Sequence, residues 1–362
     1  MFRQSLLATA CLGLFAAPAL AAPSNTTHTE AAIQRIDNTK QFISDRFTLD
    51  GVVRVRADGE DTAAQYTSIA NPKSKTESHI NLEAWLGLRL YKDWTVKMQL
   101  EPQYNLRTGK MNNDQDIPMN KLFVEGSLTN NMKLRVGKYG AFSSYGRVYD
   151  NEVTGAELTF NNSIAPTKLA VARVTKNAFN DNPWGVGVHR NGTVILQSKY
   201  PLAVNTNIGG TVAYVQDVKR PNGNEKDAWF GEIGLDTKLG QDWSGFIAYS
   251  RSNIEDVFDS AGKEVKQDGA FAEIKYKNAD WQAVNSYDVY ANVRHVGAMS
   301  GVSSVSDYSK NVKGVQVGAN YVPYKNLKVG AFYLHGKQIN ATVPTGEKQD
   351  VNVWRVQAEY KF

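Results

Sequence analysis

The sequence predicts an all-β fold, an antiparallel transmembrane β-barrel of about 16 strands, with a short helical segment ahead of it. Three observations predict it. From Phe47 onward, apolar and polar residues alternate with a period of two, as a strand with one apolar and one polar face requires. Connections alternate between tight turns and loops of about 10 to 20 residues, the rhythm of a membrane barrel. The dipeptides Asp93-Trp94, Asp242-Trp243 and Asp280-Trp281 recur at the tight turns, each Trp expected to begin a strand at a membrane interface.

Composition agrees with strands and excludes several classes. The chain has 362 residues, with 41 Lys+Arg against 36 Asp+Glu, a formal charge of +5. That excess is spread along the chain, whereas nucleic-acid binding calls for a clustered basic face, so no nucleic-acid partner is expected. Past the N-terminus no apolar run is long enough for a spanning helix, so a membrane protein this polar must alternate its apolar residues.

Residues 1–21, MFRQSLLATACLGLFAAPALA, read as a secretory signal peptide. Arg3 supplies the charge, Leu6 to Ala17 the apolar core, and Ala19-Leu20-Ala21 the cleavage site. Cys11, the single cysteine, falls inside it, so the mature chain is expected to lack thiol chemistry. Residues 22–46 are polar, then place Ile33, Ile36 and Ile43 at roughly helical spacing behind Thr29 as a cap; a short periplasmic amphipathic helix is expected.

Residues 47–362 form the barrel. Strand one, Phe47–Arg56, sets Phe47, Leu49, Gly51, Val53 and Val55 against Asp50, Arg54 and Arg56; a loop, Ala57–Glu77, follows. Strand two alternates Ile80, Leu82, Ala84, Leu86, Leu88 and Leu90 with Asn81, Glu83, Trp85, Gly87, Arg89 and Tyr91. Past Lys92-Asp93, strand three sets Trp94, Val96, Met98, Leu100 and Tyr104 against Lys97, Gln99, Glu101, Gln103 and Arg107; a loop runs from Thr108 to Asn120. Strands four and five, Lys121–Thr129 and Met132–Lys138, turn at Asn130-Asn131, and a loop runs from Tyr139 to Glu152. Strands six and seven are Val153–Phe160 and Lys168–Thr175, with a loop from Lys176 to Arg190. Strands eight and nine, Gly192–Tyr200 and Thr206–Gln216, meet at Pro201-Leu202. Strands ten and eleven, Lys226–Leu239 and Trp243–Ser252, meet at Gly240–Asp242. Strands twelve and thirteen, Asp268–Lys277 and Trp281–Ala291, meet at Asn278–Asp280. Strands fourteen and fifteen, Asn311–Tyr321 and Leu327–His335, meet at Pro323–Asn326, and the last loop is Gly336–Lys348. The final stretch, QDVNVWRVQAEYKF, puts Trp354, Val356, Ala358, Tyr360 and Phe362 on one face and Arg355, Gln357, Glu359 and Lys361 on the other.

Physics assigns the faces. Lipid offers no hydrogen-bond partners, so the sheet must close on itself. A Lys or Arg on the lipid face at mid-membrane costs about 2–4 kcal/mol. Arg54, Arg89, Lys97, Lys133 and Arg135 therefore point inward, giving a charged, hydrated interior. About 16 strands leave an aqueous lumen. In the first five strands Arg54, Arg56, Arg89, Lys97, Arg107, Lys121, Lys133 and Arg135 oppose Asp50, Glu83, Glu101 and Glu125, which predicts a weak anion preference.

From about Phe47 to Phe362 the chain resembles a Gram-negative outer-membrane porin of the sixteen-stranded general type. The resemblance rests on topology, turn rhythm and the terminal Phe362, and on KLRVGKYGAFSSYGRVYDNEVTGAELTF and YKNLKVGAFY, which are similar to the fifth-to-sixth strand and late-hairpin segments of such porins. It implies an outer-membrane homotrimer in contact with lipid, delivered by the barrel-assembly machinery through its C-terminal strand. It also implies a third long loop folded inward. Here that loop is Tyr139–Glu152, carrying Arg147, Tyr149, Asp150 and Glu152, with Asp150 and Glu152 opposed to a wall of Arg54, Arg56, Arg89, Lys97, Lys133 and Arg135. Trp94, Trp243, Trp281, Tyr360 and Phe362 would form an interfacial girdle.

The expected function is passive diffusion of small hydrophilic solutes and ions. The alternatives are a channel specific for sugars, phosphate or carboxylates, a barrel enzyme, and an adhesin. The histidines, His28, His79, His189, His295 and His335, have no ligand spacing, so no metal or cofactor is expected. No nucleophile elbow or phosphate loop occurs, and Arg107-Thr108-Gly109-Lys110 lies in a long loop, so no enzyme is expected.

Overall fold

The computed structural model describes residues 45–60, 75–111, 119–161, 165–174, 183–188, 190–302 and 310–362. The chain divides into two units, Met1–Arg46 and Phe47–Phe362. The expected signal peptide and N-terminal helix lie outside the described residues, apart from Asp45 and Arg46.

The second unit is a closed antiparallel barrel of 16 strands. They are β1 (Phe47–Glu60), β2 (Lys75–Tyr91), β3 (Trp94–Leu100, resuming as Gln103–Asn105), β4 (Met119–Thr129), β5 (Met132–Phe142) and β6 (Asp150–Phe160). Then come β7 (Thr167–Val174), β8 (Gly192–Ala203), β9 (Thr206–Lys219), β10 (Glu225–Leu239) and β11 (Trp243–Ser252). The series ends with β12 (Asp268–Lys277), β13 (Tyr287–Val296), β14 (Val312–Tyr324), β15 (Leu327–Gln338) and β16 (Asp350–Lys361). Each pairs with its sequence neighbours, and β1 pairs with β16 from Val52↔Lys361 to Glu60↔Val353, so no edge is left open. The last residue is part of that closure. Phe362 and Gly51 exchange two backbone hydrogen bonds, each 3.1 Å. A Cβ at Gly51 would meet the Phe362 ring at 2.8 Å and the Glu83 carbonyl oxygen at 2.2 Å, so this position needs glycine.

The outer face is apolar and bare. Leu49, Val171, Ile233, Ile247, Val293, Val315 and Val356 are all exposed. A face this apolar around a whole sheet is one that lipid solvates. Arg173 shares it with Leu169 and Val171, but it stands one residue from the end of β7 at the long-loop rim, where a cation reaches headgroups and water.

Several expected boundaries are corrected. Trp94 and Trp243 begin strands, but Trp281 does not: it lies in a turn of residues 278–286, and β13 starts at Tyr287. Asn285 takes a left-handed φ of 67°, which ends the turn there. Pro201 and Pro323 do not stop their strands. β8 runs on to Ala203 and β14 to Tyr324, each through a register shift that spares the missing N–H. Arg107 is past β3, exposed, and donates to the Thr76 carbonyl at 3.1 Å. The largest correction concerns the interior. The alternation predicts a charged, hydrated interior, yet near the long-loop end the inward residues Ala213, Val215, Ala228 and Phe230 are fully buried in one cluster with Trp184, Val186, Val188, Ile254, Val257, Met299 and Val302. Segments between strands turn inward there and bury apolar surface that the strands would otherwise present to water.

Candidate functional site

The polar interior lies along β16, β1 and the strands that follow. Arg54 Nε meets Glu359 Oε1 at 2.8 Å, and its guanidinium also faces Asn81 and Glu83. Arg56 donates twice to Gln357 Oε1, at 3.1 and 3.0 Å, and Arg355 bonds Asp58. On the next strands Lys97 Nζ and Arg135 Nη2 share one carboxylate, Glu125, at 2.7 and 2.8 Å. Arg135 also faces Glu157 at 3.5 Å. Across the barrel, β12 to β14 carry a second polar wall. There Arg294 donates to Asn292 at 2.7 Å and to Gln316 at 2.5 Å, and Asn320 donates to Asp288 at 2.8 Å.

The third long connection folds into the barrel. It is tighter than expected, because β5 extends to Phe142 and β6 starts at Asp150, leaving residues 143–149. These residues are almost wholly buried, with Ser143, Val148 and Tyr149 at 0% exposure. One inward carboxylate of β10 holds them. Glu232 accepts the Tyr145 N–H at 2.7 Å, the Val148 N–H at 3.2 Å, the Ser143 hydroxyl at 2.9 Å and the Arg147 N–H. The Ser144 N–H donates to Thr211 at 2.9 Å, and the Tyr145 hydroxyl reaches Asp236 at 3.1 Å. Burial pushes the Tyr145 phenol up, with the Asp236 bond adding to it. Arg147 turns its guanidinium over Phe271 at 4.3 Å; burial pushes it down to about 10, opposed by Glu232, Glu273 and Asp150.

The named candidates divide among these places. Arg54, Arg56, Lys97 and Arg135 are on the inner wall, while Arg89 and Lys133 are exposed near the tight-turn end. Arg147 and Tyr149 are in the inward loop. Asp150 and Glu152 belong to β6 and share the parity of Thr154, Ala156 and Leu158, not that of Glu157. Glu359, Glu83, Glu125 and Glu157 are acids that meet the wall bases. Glu232 was not foreseen. Alternation in AWFGEIGLD sets it inward, but nothing local ties it to a loop 85 positions away.

A closed ring of 16 antiparallel strands, with a connection turned inward and pinned to β10, is a recognisable architecture. No family model and no curated protein matches the chain. Solved structures do. OprB of Pseudomonas putida superposes with a TM-score of 0.58 at 10% identity, covering 90% of this chain and 96% of that one. A multiply substituted variant of the Rhodopseudomonas blastica porin gives a TM-score of 0.52 at 13% identity, covering 87% of this chain and 100% of that one. The chain has the porin fold. Within it, residues 143–149 are the inward loop of a porin barrel, and β1, β16 and β2 to β6 are the charged wall beside it.

Proposed function

We propose that this porin barrel is a passive outer-membrane channel for small hydrophilic solutes and ions. The observation that carries this reading is the pairing of an apolar outer face with an inner wall of partly solvated ion pairs, such as Lys97–Glu125, whose side chains are 44% and 26% exposed. Water must reach such groups, and lipid must reach Ile233 and Ile247 on the other side of the same wall. Selection is by size at the level of the inward loop and by the field of the wall charges, with no energy input. Arg54, Arg56, Lys97 and Arg135 set that field, with Arg89 and Lys133 at one mouth and Arg147, Tyr149, Asp150 and Glu152 at and beside the loop.

The rest of the reading follows the same logic. Residues 1–21 export the chain and residues 22–46 stay on the periplasmic side. The barrel-assembly machinery reads the C-terminal strand. Trp94, Trp243, Trp281, Tyr360 and Phe362 mark the inner membrane interface, and the barrel works as a homotrimer in lipid. The protein is a channel and not an enzyme.

Liposome swelling tests the channel reading. Purified protein should admit small sugars at rates that fall steeply with solute size. Swelling no faster than in protein-free vesicles would remove the reading.

A further inference from the structure

Resting on the channel reading above, we infer that a hollow in the inner wall, lined by Trp85, Phe123, Lys97, Lys121 and Arg135, is a binding subsite for small organic carboxylates that carry an apolar or ring-shaped body.

The hollow has a volume of about 360 Å³ and opens to the interior; Asp50 is the one acid in its lining. Its floor is aromatic where alternation would place polar residues. Trp85 is on the inward face of β2, between Glu83 and Gly87, so it serves no membrane girdle. Its indole N–H donates to Glu83 at 3.1 Å. Phe123 of β4 meets Trp85 edge-on at 6.3 Å, and Tyr139 of β5 meets Phe123 edge-on at 6.5 Å. Three strands thus contribute one continuous ring surface inside a barrel.

Cations stand over this floor. The Lys121 ammonium is 5.3 Å from the centre of the Trp85 ring. The Arg135 guanidinium is 4.9 Å from that of Phe123 and 5.6 Å from that of Tyr139. Lys97 and Arg135 divide the charge of Glu125 between them. Lys121 has no carboxylate within ion-pair distance among the described residues. Lys97 and Arg135 are thus answered by Glu125 and Glu157, whereas Lys121 is held over an aromatic face with no ion-pair partner among the described residues.

That combination selects a chemistry. A neutral sugar offers no anion to Lys121 and leaves its charge unanswered. Inorganic phosphate leaves the aromatic floor unused. A carboxylate on a compact body satisfies both parts: Lys121 takes the anion, with Lys97 and Arg135 adding to the field, and Trp85 and Phe123 take the body. In a partly hydrated lumen such an ion pair is modest, which suits a solute that must also leave.

The test is single-channel current in a planar bilayer with benzoate added, and benzamide as the uncharged control. Benzoate should reduce the open current saturably, and benzamide should not. Lys121→Gln should raise the half-blocking benzoate concentration about fivefold, and Lys121→Arg should restore it. Trp85→Ala should weaken block in the same direction, while Lys226→Gln, at the far rim, leaves it as it was. Open steps without benzoate block, equal block by benzamide, or unchanged block in Lys121→Gln would overturn the subsite and leave the channel reading standing. Absence of any open step would remove both.

Discussion

Arg54 on the first barrel strand and Glu359 on the last stand directly opposite each other and join at 2.8 Å across the seam where the sheet closes. The side chains are 19% and 9% exposed, so water screens the pair only in part. Lys328 approaches the other Glu359 oxygen at 3.5 Å. Closure of a barrel depends on its first and last strands finding one register, and a one-residue slip would turn Glu359 outward.

Glu359→Gln should therefore destabilise more than Arg54→Ala, because it deprives two cations of their partner. Losses of about 2 and about 1 kcal/mol are expected. Urea unfolding in detergent micelles, followed by tryptophan fluorescence, measures both. Equal midpoints for the two variants and the wild type would show that the seam is held by its backbone alone.

Glu232 holds the inward loop through several donors, so removing it should free the loop. Glu232→Ala leaves the N–H groups of Tyr145, Arg147 and Val148 buried without that acceptor, at about 1–3 kcal/mol each before relaxation. The expected result is larger current fluctuation and new protease cleavage within residues 143–149. Glu232→Gln keeps an acceptor and should fall between. Quiet channels in Glu232→Ala would place the tether elsewhere.

Asp259 gives a pH dependence. Burial works to raise its carboxyl, but Asn340 at 3.0 Å and the N–H groups of Lys263, Ala341 and Ala261 outweigh burial and hold it below the usual carboxylate range. A carboxyl lowered on folding stabilises above its unfolded value and loses that contribution as pH falls through its folded value. The tie between residues 253–267 and 339–349 should thus persist at pH 5 and loosen below about pH 4. Hydrogen exchange in these two loops should rise over that window in the wild type. Asp259→Asn should show the raised exchange already at neutral pH.

Ion preference follows from the wall. The bases Arg54, Arg56, Lys97 and Arg135, with Lys121 in no ion pair among the described residues, predict a weak anion preference in a salt gradient. Lys97→Glu sets two carboxylates side by side at Glu125 and should shift the reversal potential toward cations. A wild-type channel that clearly prefers cations would contradict the assigned field.

The barrel was readable in the sequence because two solvents act on one wall. Lipid outside and water inside force alternate residues to opposite characters, as Trp354, Val356 and Tyr360 alternate with Arg355, Gln357 and Glu359. Where that contrast fades, so did the reading. Toward the long-loop end β9 and β10 are apolar on both faces, with Val212 and Trp229 outward and Val215 and Phe230 buried inside, and apolar residues on both faces do not say that loops fill the interior. The inner-wall acids were equally hidden. Alternation sets Glu157 and Glu232 inward, but only the folded chain brings Glu157 to Arg135 and Glu232 to the loop.

The central claim is a closed wall around a continuous aqueous path, and single-channel recording of the purified, refolded protein tests it most directly. The account predicts discrete current steps that scale linearly with salt concentration, with conductance changed by Glu232→Ala. A protein that shows barrel-type circular dichroism and inserts into the bilayer, yet passes no current in any salt, would contradict it.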